Sequence, residues 1–414
     1  MHSPLHRLHR AACRTAVAAG AAAIITACGG SEPAATADAV RDSAGVTIVE
    51  HSAAALERLP EWSVAAEPDL TIGASADPAD DLTEVAGGYL TPAGEIVVAE
   101  GSAREIRIYA PDGSLRRTLG RQGTGPGEYS ALTSVWRQGD STAVFDMSAR
   151  RLTVAPNDGS MPRVIPLGRT GLLESVQGTA GGRLVTWRLD GDSLMAVGSG
   201  SVRVPQHVLV ISSDGAAVDT VLSVDGPLFY LPSASPGWSG PAPVGLGPDT
   251  RMRTIGDSIV IGTNNRYELV TYDLAGRPVR IVRMAVPARA VEEDDVEFLR
   301  EAEWEEFQTR FSEMPAEIVA QYRGFLENQR YAETMPYYDM LAADPAGNLW
   351  VQDFPRPAER YQRFTVIAPD GALLARVRLP DGVELLSAGD SAIVGVWRDQ
   401  DDVPRVSRYR LTRE

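Results

Sequence analysis

Four oxygen-bearing side chains take matching positions in a repeated pattern of this sequence, and together they have the chemistry of a calcium site. Glu100, Asp146, Asn264 and Asp353 each follow a short apolar strand that we predict to be the innermost of its repeat. Arg188 takes the same position in another repeat. Carboxylate and amide oxygens are the ligands that Ca²⁺ prefers. The other interpretation is structural, because such residues also cap turns and Arg188 can neutralise the acids without a metal.

Other catalytic chemistries have little support in the sequence. After removal of the leader described below, only His51 and His207 are left to serve as a general base, and we expect both to be ordinary structural residues. The glycine-rich stretch 121–129 lacks the Lys and the Ser or Thr of a phosphate-binding loop. The sequence therefore predicts no catalytic residue and no cofactor, with Ca²⁺ as the alternative.

The N-terminus has the order of a secretory signal peptide, which we assign to residues 1–27. A basic stretch precedes an apolar run at 15–27, and this run is shorter than the roughly 20 residues of a transmembrane helix. Residues 25–28, Ile-Thr-Ala-Cys, resemble a bacterial lipobox, in which the cysteine thiol receives diacylglycerol. The resemblance implies that Cys28 is lipidated and anchors the chain to a membrane. The alternative is an ordinary signal peptide in which Cys28 is incidental.

The mature chain has a strongly acidic balance. Removing residues 1–27 takes away three arginines and no acid, so the net charge falls from −16 to −19. Such a surface repels nucleic acid, which we exclude as a partner. Residues 28–45 are rich in Gly, Ala and Ser and predict a flexible tether. Gly29 after the lipidated cysteine favours the outer membrane of the bacterial cell envelope.

The rest of the chain, 46–414, repeats one motif of short strands and tight turns. The stretch 94–119 has a near duplicate at 347–379, and Asp-Gly turns recur at Asp112, Asp158, Asp214 and Asp370. Six such units of about 40 to 45 residues predict an all-β fold, a six-bladed β-propeller. We also expect a strand near Leu70 to complete the C-terminal unit and close the ring.

The motifs at 96–113 and 120–129 resemble NHL-type six-bladed propellers, in particular a secreted or lipid-anchored bacterial group of undefined function. The resemblance covers nearly all of the chain after Arg41. It implies that the strand-end residues gather at one mouth of a central channel, and propeller lactonases and lyases hold a metal there. This resemblance specifies the fold well, but it says little about the function.

Two segments depart from the repeat. A loop at 226–250 is rich in Pro and Gly and contains Trp238. Residues 289–330 have two helical stripes and predict a helical hairpin inserted between two blades. We expect the hairpin to lie over the channel mouth, with Trp238, Tyr322, Tyr337 and Tyr338 as ligand contacts. The alternative is that it only stabilises the rim.

These features predict a lipid-anchored module of the cell envelope that binds an unknown protein or small-molecule ligand. The alternative is a calcium-dependent hydrolase, lactonase or lyase that uses the channel mouth. A structural part of an envelope assembly is the third class. The presence of calcium at the acid ring distinguishes the enzyme from the binding module.

Overall fold

The computed structural model describes residues 38–73, 81–168, 173–198, 200–232, 240–311, 314–357 and 359–413. Cys28 and Trp238 lie outside these residues.

The chain begins with five short elements, which are β1 (Ala39–Ser43), β2 (Val46–Ser52), α1 (Ala53–Glu57), β3 (Glu61–Val64) and β4 (Leu70–Ile72). The first antiparallel meander, meander 1, contains β5 (Val85–Leu90), β6 (Ile96–Glu100), β7 (Glu105–Tyr109) and β8 (Leu115–Leu119). Meander 2 contains β9 (Leu132–Gln138), β10 (Ser141–Asp146), β11 (Arg151–Pro156) and β12 (Arg163–Pro166).

Four further meanders and three helices follow. Meander 3 contains β13 (Glu174–Gly178), β14 (Leu184–Leu189), β15 (Ser201–Ile211) and β16 (Val218–Tyr230), with α2 (Gly191–Met195) between β14 and β15 and the short β17 (Ala242–Pro243) paired with β16; meander 4 contains β18 (Thr250–Ile255), β19 (Ser258–Thr263), β20 (Glu268–Asp273) and β21 (Pro278–Ala285). The helices α3 (Glu293–Arg310) and α4 (Ala316–Glu327) follow. Meander 5 contains β22 (Tyr338–Ala343), β23 (Leu349–Asp353), β24 (Arg363–Ile367) and β25 (Leu373–Arg378), and meander 6 contains β26 (Glu384–Ala388), β27 (Ala392–Arg398) and β28 (Pro404–Thr412). Most of the structured chain is therefore β-strand.

Each meander forms because β-branched strands alternate with tight turns. In meander 1 every residue of β6, Ile-Val-Val-Ala-Glu, is buried, as expected for a strand packed on both faces. The turn between β7 and β8 contains Gly113 at φ +89°, a conformation that glycine adopts without strain. The Asp112 carboxylate accepts the Ser114 backbone N–H at 3.0 Å and fixes this turn.

The first strands of the meanders contact one another in a closed cycle, β5 to β9, β13, β18, β22, β26 and back to β5. This arrangement of antiparallel sheets around inner strands is that of a β-propeller. It corrects the prediction that strands such as β6 are innermost, because they are the second strands. The inner strands were missed because β5 contains Gly87 and Gly88 and is only partly buried, so its apolar signal is weak.

The chain ends meet as predicted. Strand β4 pairs antiparallel with β28, placing Ile72 opposite Val406 and Leu70 opposite Arg408, so the prediction for Leu70 is confirmed. Strand β3 adds a second link, because it pairs with both β25 and β28. An N-terminal strand thus completes meander 6 and ties the two ends of the described chain together.

Order begins earlier than the predicted limit of the tether at residue 45. Strand β1 pairs antiparallel with β2 across the turn at Ala44 and Gly45, and β2 adds in parallel to β21. This correction has a simple cause. The β1 sequence, Ala-Val-Arg-Asp-Ser, is fully exposed, so it lacks the apolar alternation from which a strand is predicted.

The helical hairpin lies where it was predicted, between β21 and β22. Helix α3 begins with a capping box formed by Glu292 and Asp295, and Pro315 caps α4. Leu299, Phe325 and Leu326 are buried. They pack on the connection that runs from β16 through β17 to β18, where Leu246 and Val244 are buried. The hairpin therefore packs on the connections that enter the inner strands.

Candidate functional site

Glu100, the last residue of β6, binds backbone rather than a shared centre. Its side chain is 1% exposed. Oε1 accepts the N–H groups of Thr83 and Glu84, both at 2.9 Å, and Oε2 accepts that of Ala103. Thr83 and Glu84 precede the inner strand β5, so this carboxylate joins the connection entering the meander to the turn after β6. Its geometry is that of a structural cap.

Asp146 and Asn264 have the same arrangement in meanders 2 and 4. Asn264 Oδ1 accepts the N–H of Asp249, just before β18, at 2.8 Å. Both side chains are buried. The carboxylate of Asp146 accepts three backbone N–H groups at 2.7 to 3.2 Å, those of Ser130, Ala131 and Ala149. Among the described residues, no group of three or more His, Cys, Asp or Glu side chains has the geometry of a metal site.

Asp353, at the matching end of β23, has different surroundings. Its Oδ2 lies 3.2 Å from Arg376 Nη2 and 3.9 Å from Arg363 Nη1. Burial raises the pKa of the Asp353 carboxyl, while Arg376, Arg363 and Arg356 oppose that rise. This carboxylate therefore lies in a cluster of three guanidinium groups instead of a ring of backbone amides.

A cavity of about 140 Å³ opens beside Asp353. Its lining combines aromatic and aliphatic side chains with three arginines and a single carboxylate. The wall is formed by Leu56, Tyr267, Val286, Pro287, Arg289, Met335, Pro336, Tyr337, Asp353, Phe354, Arg356 and Arg376. Arg289 is held by a bidentate pair with Asp295 at 2.7 and 2.9 Å, which leaves Arg356 and Arg376 as the cationic groups beside Asp353. In a chain of net charge −16, this is a locally cationic cavity.

The predicted ligand contacts on and near the insertion have separate environments. Tyr337 lines the cavity, and its hydroxyl donates to the Val286 carbonyl at 3.1 Å. Tyr338 is fully buried in the core beside Tyr267, so the prediction that it contacts a ligand is wrong. Its side chain points under the sheet because successive strand residues alternate faces. Tyr322 stacks on Phe307, ring centroids 4.1 Å apart, in the core of the hairpin.

Sequence reasoning missed a constellation on meander 3. His207 Nδ1 lies 2.7 Å from Ser223 Oγ, and His207 Nε2 lies 3.0 Å from Asp190 Oδ2. Arg188 is opposite His207 in the β14–β15 register. We expected His207 to be an ordinary structural residue, and it lies in the middle of β15. Only the pairing of three strands brings these side chains together, and the sequence alone does not specify that register.

No protein-family model matches the chain, and no curated protein matches it. Solved structures with a similar fold include a protein from Bacteroides fragilis named as exported, 10% identical, covering 89% of this chain and 99% of that one, with a TM-score of 0.46. A DUF4221 family member from Bacteroides vulgatus is 10% identical over 86% and 100% of the two chains, with a TM-score of 0.48. Virginiamycin B lyase from Staphylococcus aureus is 9% identical over 85% and 99%, with a TM-score of 0.40. The strand pairing above is the basis for the propeller architecture.

Proposed function

We propose that the chain is an exported, lipid-anchored β-propeller of six blades that binds a small organic anion in the cavity beside Asp353. Each meander corresponds to one blade, and the closed cycle of inner strands supports the count of six. The pairing of β4 with β28 supports closure of the ring by its ends. None of the described helices is long and apolar enough to cross a membrane.

The anchor rests on the sequence. Cys28 follows a short apolar run and precedes a Gly-Gly-Ser stretch, which favours lipid attachment and an outer-membrane location. Mass spectrometry of the mature N-terminus is expected to show a diacylglyceryl group on Cys28. A Cys28→Ala protein that still fractionates with membranes would contradict the anchor without affecting the ligand proposal.

The cationic lining of the cavity is the observation that carries the ligand class. Arg356 and Arg376 supply guanidinium donors, which suit a carboxylate or a phosphate. Tyr267, Tyr337 and Phe354 supply aromatic surface to the wall of the cavity. An anion with an aromatic or aliphatic body therefore fits better than a cation or a sugar.

The helical insertion forms one wall of this site. Arg289 begins the insertion, and Met335, Pro336 and Tyr337 lie between its end and β22, so the segments on both sides of the two helices line the cavity. The Arg289–Asp295 pair joins the cavity wall to the first turn of α3. The insertion thus shapes the cavity through its ends, while its apolar stripes are buried against the connection between β16 and β18.

Calorimetric titration of the purified lipoprotein in detergent tests the proposal, with benzoate and phenyl phosphate as anionic probes and benzyl alcohol as the uncharged control. For ligands this small we expect a Kd on the order of 1 mM for the anions. Arg356→Met is expected to weaken binding at least about 10-fold. Arg398→Met, an exposed arginine at the end of β27 that pairs with Asp402, is the matched control.

Two results would overturn the ligand proposal. One is equal binding of benzyl alcohol and benzoate, which would show that the arginines do not select charge. The other is an unchanged benzoate affinity in Arg356→Met. The calcium-dependent enzyme stays the alternative hypothesis, and repeating the titration with CaCl₂ alone tests it directly.

A further inference from the structure

The arrangement of Ser223, His207 and Asp190 is independent of the cavity and carries chemistry of its own. An imidazole lies between a hydroxyl at 2.7 Å and a carboxylate at 3.0 Å. Both distances are within hydrogen-bond range, and the three groups have the order nucleophile, base and orienting acid. We propose that Ser223, His207 and Asp190 form an acyl-transfer site that hydrolyses small esters.

The strands of meander 3 position these groups. His207 on β15 is directly opposite Arg188 on β14 and opposite Ser223 on β16. Side chains at directly paired positions share one face of the sheet, with Cβ atoms about 5 Å apart. The β15–β16 ladder shifts register between Val208 and Leu209, next to His207. Such bulges change the direction of nearby side chains.

Asp190 lies on the Nε2 side of His207 and is held in place by a hydrogen bond to the backbone. It follows β14 and caps α2, and its Oδ1 accepts the Ser193 N–H at 2.7 Å. The hydrogen bond from His207 is the largest cause of the lowered pKa of Asp190, about 2, so this carboxylate is ionised at neutral pH. An ionised carboxylate can only accept a hydrogen bond, so His207 Nε2 carries the proton and donates it to Asp190 Oδ2. His207 Nδ1 is then the acceptor that faces the Ser223 hydroxyl.

The site is open to substrate. Ser223 is exposed, and His207 retains 22% of its side-chain exposure. Further along the same strand, Leu209 and Ile211 are buried against meander 2 in a cluster that contains Phe145. His207 therefore lies where the packed interface between meanders 2 and 3 ends. The exposure of Ser223 and His207 lets an ester reach the site from solvent.

Arg188 adds a positive charge on the same face of the sheet. It is the cross-strand neighbour of His207 on the side opposite Ser223. Two strand spacings, about 10 Å, separate it from Ser223, so we expect its guanidinium to attract a polar or anionic substrate rather than to contact the developing oxyanion. Arg188 was selected from the sequence for a different reason, as the one cation among the strand-end residues.

The reaction balances with water as the only co-reactant. Ser223 Oγ attacks the ester carbonyl carbon while His207 Nδ1 takes the hydroxyl proton. The tetrahedral adduct then breaks its bond to the leaving alkoxide, which receives that proton from His207 and departs as an alcohol. Water attacks the acyl-Ser223 ester with the same base, releasing the carboxylic acid and restoring the serine hydroxyl.

A fluorophosphonate probe and p-nitrophenyl butyrate test the site on the folded, full-length lipoprotein. Peptide mapping should place the phosphonyl group on Ser223. Ser223→Ala should lose both labelling and hydrolysis, and His207→Gln should reduce both on the order of 100-fold. Ser201→Ala, an exposed serine near the start of the same strand as His207, is the matched control and should keep the wild-type rates.

The proposal is overturned if label is distributed among several serines, if heat-denatured protein labels equally fast, or if His207→Gln leaves the rates unchanged. Failure here does not affect the ligand proposal, because benzoate binding should be the same in Ser223→Ala and wild type. A melting temperature measured for each variant separates loss of reactivity from loss of fold.

Discussion

Asp146 and Asp353 stand at matching ends of second strands, yet they have opposite environments. Three backbone amides surround the Asp146 carboxylate, whereas arginine side chains and an open cavity surround that of Asp353. A buried carboxylate that accepts three backbone amides is held in place by them and stabilises the fold. The Asp353 carboxylate faces guanidinium groups instead, and these groups leave a cationic surface in the cavity. The same repeat position is therefore structural in meander 2, whereas in meander 5 it lines the cavity that we propose as the binding site.

The largest expected effect is loss of the amide-bound carboxylate. Asp146→Ala leaves three backbone N–H groups without their acceptor, so we expect the free energy of unfolding to fall by about 3 to 5 kcal/mol. Urea denaturation followed by circular dichroism measures it. Asp112→Ala, which removes an exposed turn carboxylate, is the control and should cost less than about 1 kcal/mol. Equal losses of unfolding free energy in the two variants would show that the amide-bound carboxylate is no more important to the fold than an exposed one.

Glu303 on α3 should behave in the opposite way, because the cost of its burial outweighs the hydrogen bond from the Gln329 side chain. Burial raises the pKa of Glu303 from 4.5 to about 7. Because the folded state binds the proton more tightly, its contribution to stability is complete below about pH 4.5 and is lost as the pH rises towards 7. Glu303→Gln should therefore stabilise the protein by about 1 to 3 kcal/mol at pH 8 and by little at pH 4.5.

Thermal melts of both proteins across this pH range check that prediction, with the exposed Glu301→Gln variant as control. A stability gain that is independent of pH would indicate better packing or helix propensity, and would contradict the titration of a buried acid. Glu301 is exposed on α3 and should show no pH-dependent difference.

The smallest effect on stability is expected at Asp353. Asp353→Asn removes an ion pair with Arg376 but also a desolvated charge, so the free energy of unfolding should change by less than about 1 kcal/mol. Benzoate should bind several-fold more tightly, because the negative charge nearest the cavity is gone. Titration with benzoate measures the change in affinity, and urea denaturation measures the change in the free energy of unfolding. A loss of stability comparable to that of Asp146→Ala would show that Asp353 is structural as well.

The sequence was informative where signals are local. Asp-Gly turns, the apolar second strands and the match of Leu70 with the C-terminal unit predicted the architecture and its closure. It was uninformative for the inner strands, whose mixture of buried and half-buried residues gives no clear period. For this reason β6 and its equivalents were taken as innermost, and four strand-end residues as a ring.

The environments of those residues could not be predicted, because they depend on distant partners. Glu100 is satisfied by amides 16 and 17 residues earlier, and Asp353 is paired with an arginine 23 residues later. His207 meets Ser223 only through a particular strand register. A slip of one residue would place the two side chains on opposite faces. Chain-local patterns do not contain that information.

Soaking a crystal of the protein with 4-bromobenzoate would show whether the cavity beside Asp353 binds an organic anion. The anomalous signal of bromine locates the ligand without assumptions about the side chains. We expect one strong bromine peak in the cavity between Tyr337 and Phe354, with the carboxylate in contact with Arg356 or Arg376. A bromine peak at the ends of β6 and β10 beside Glu100 and Asp146, or an empty cavity at saturating ligand, would contradict it.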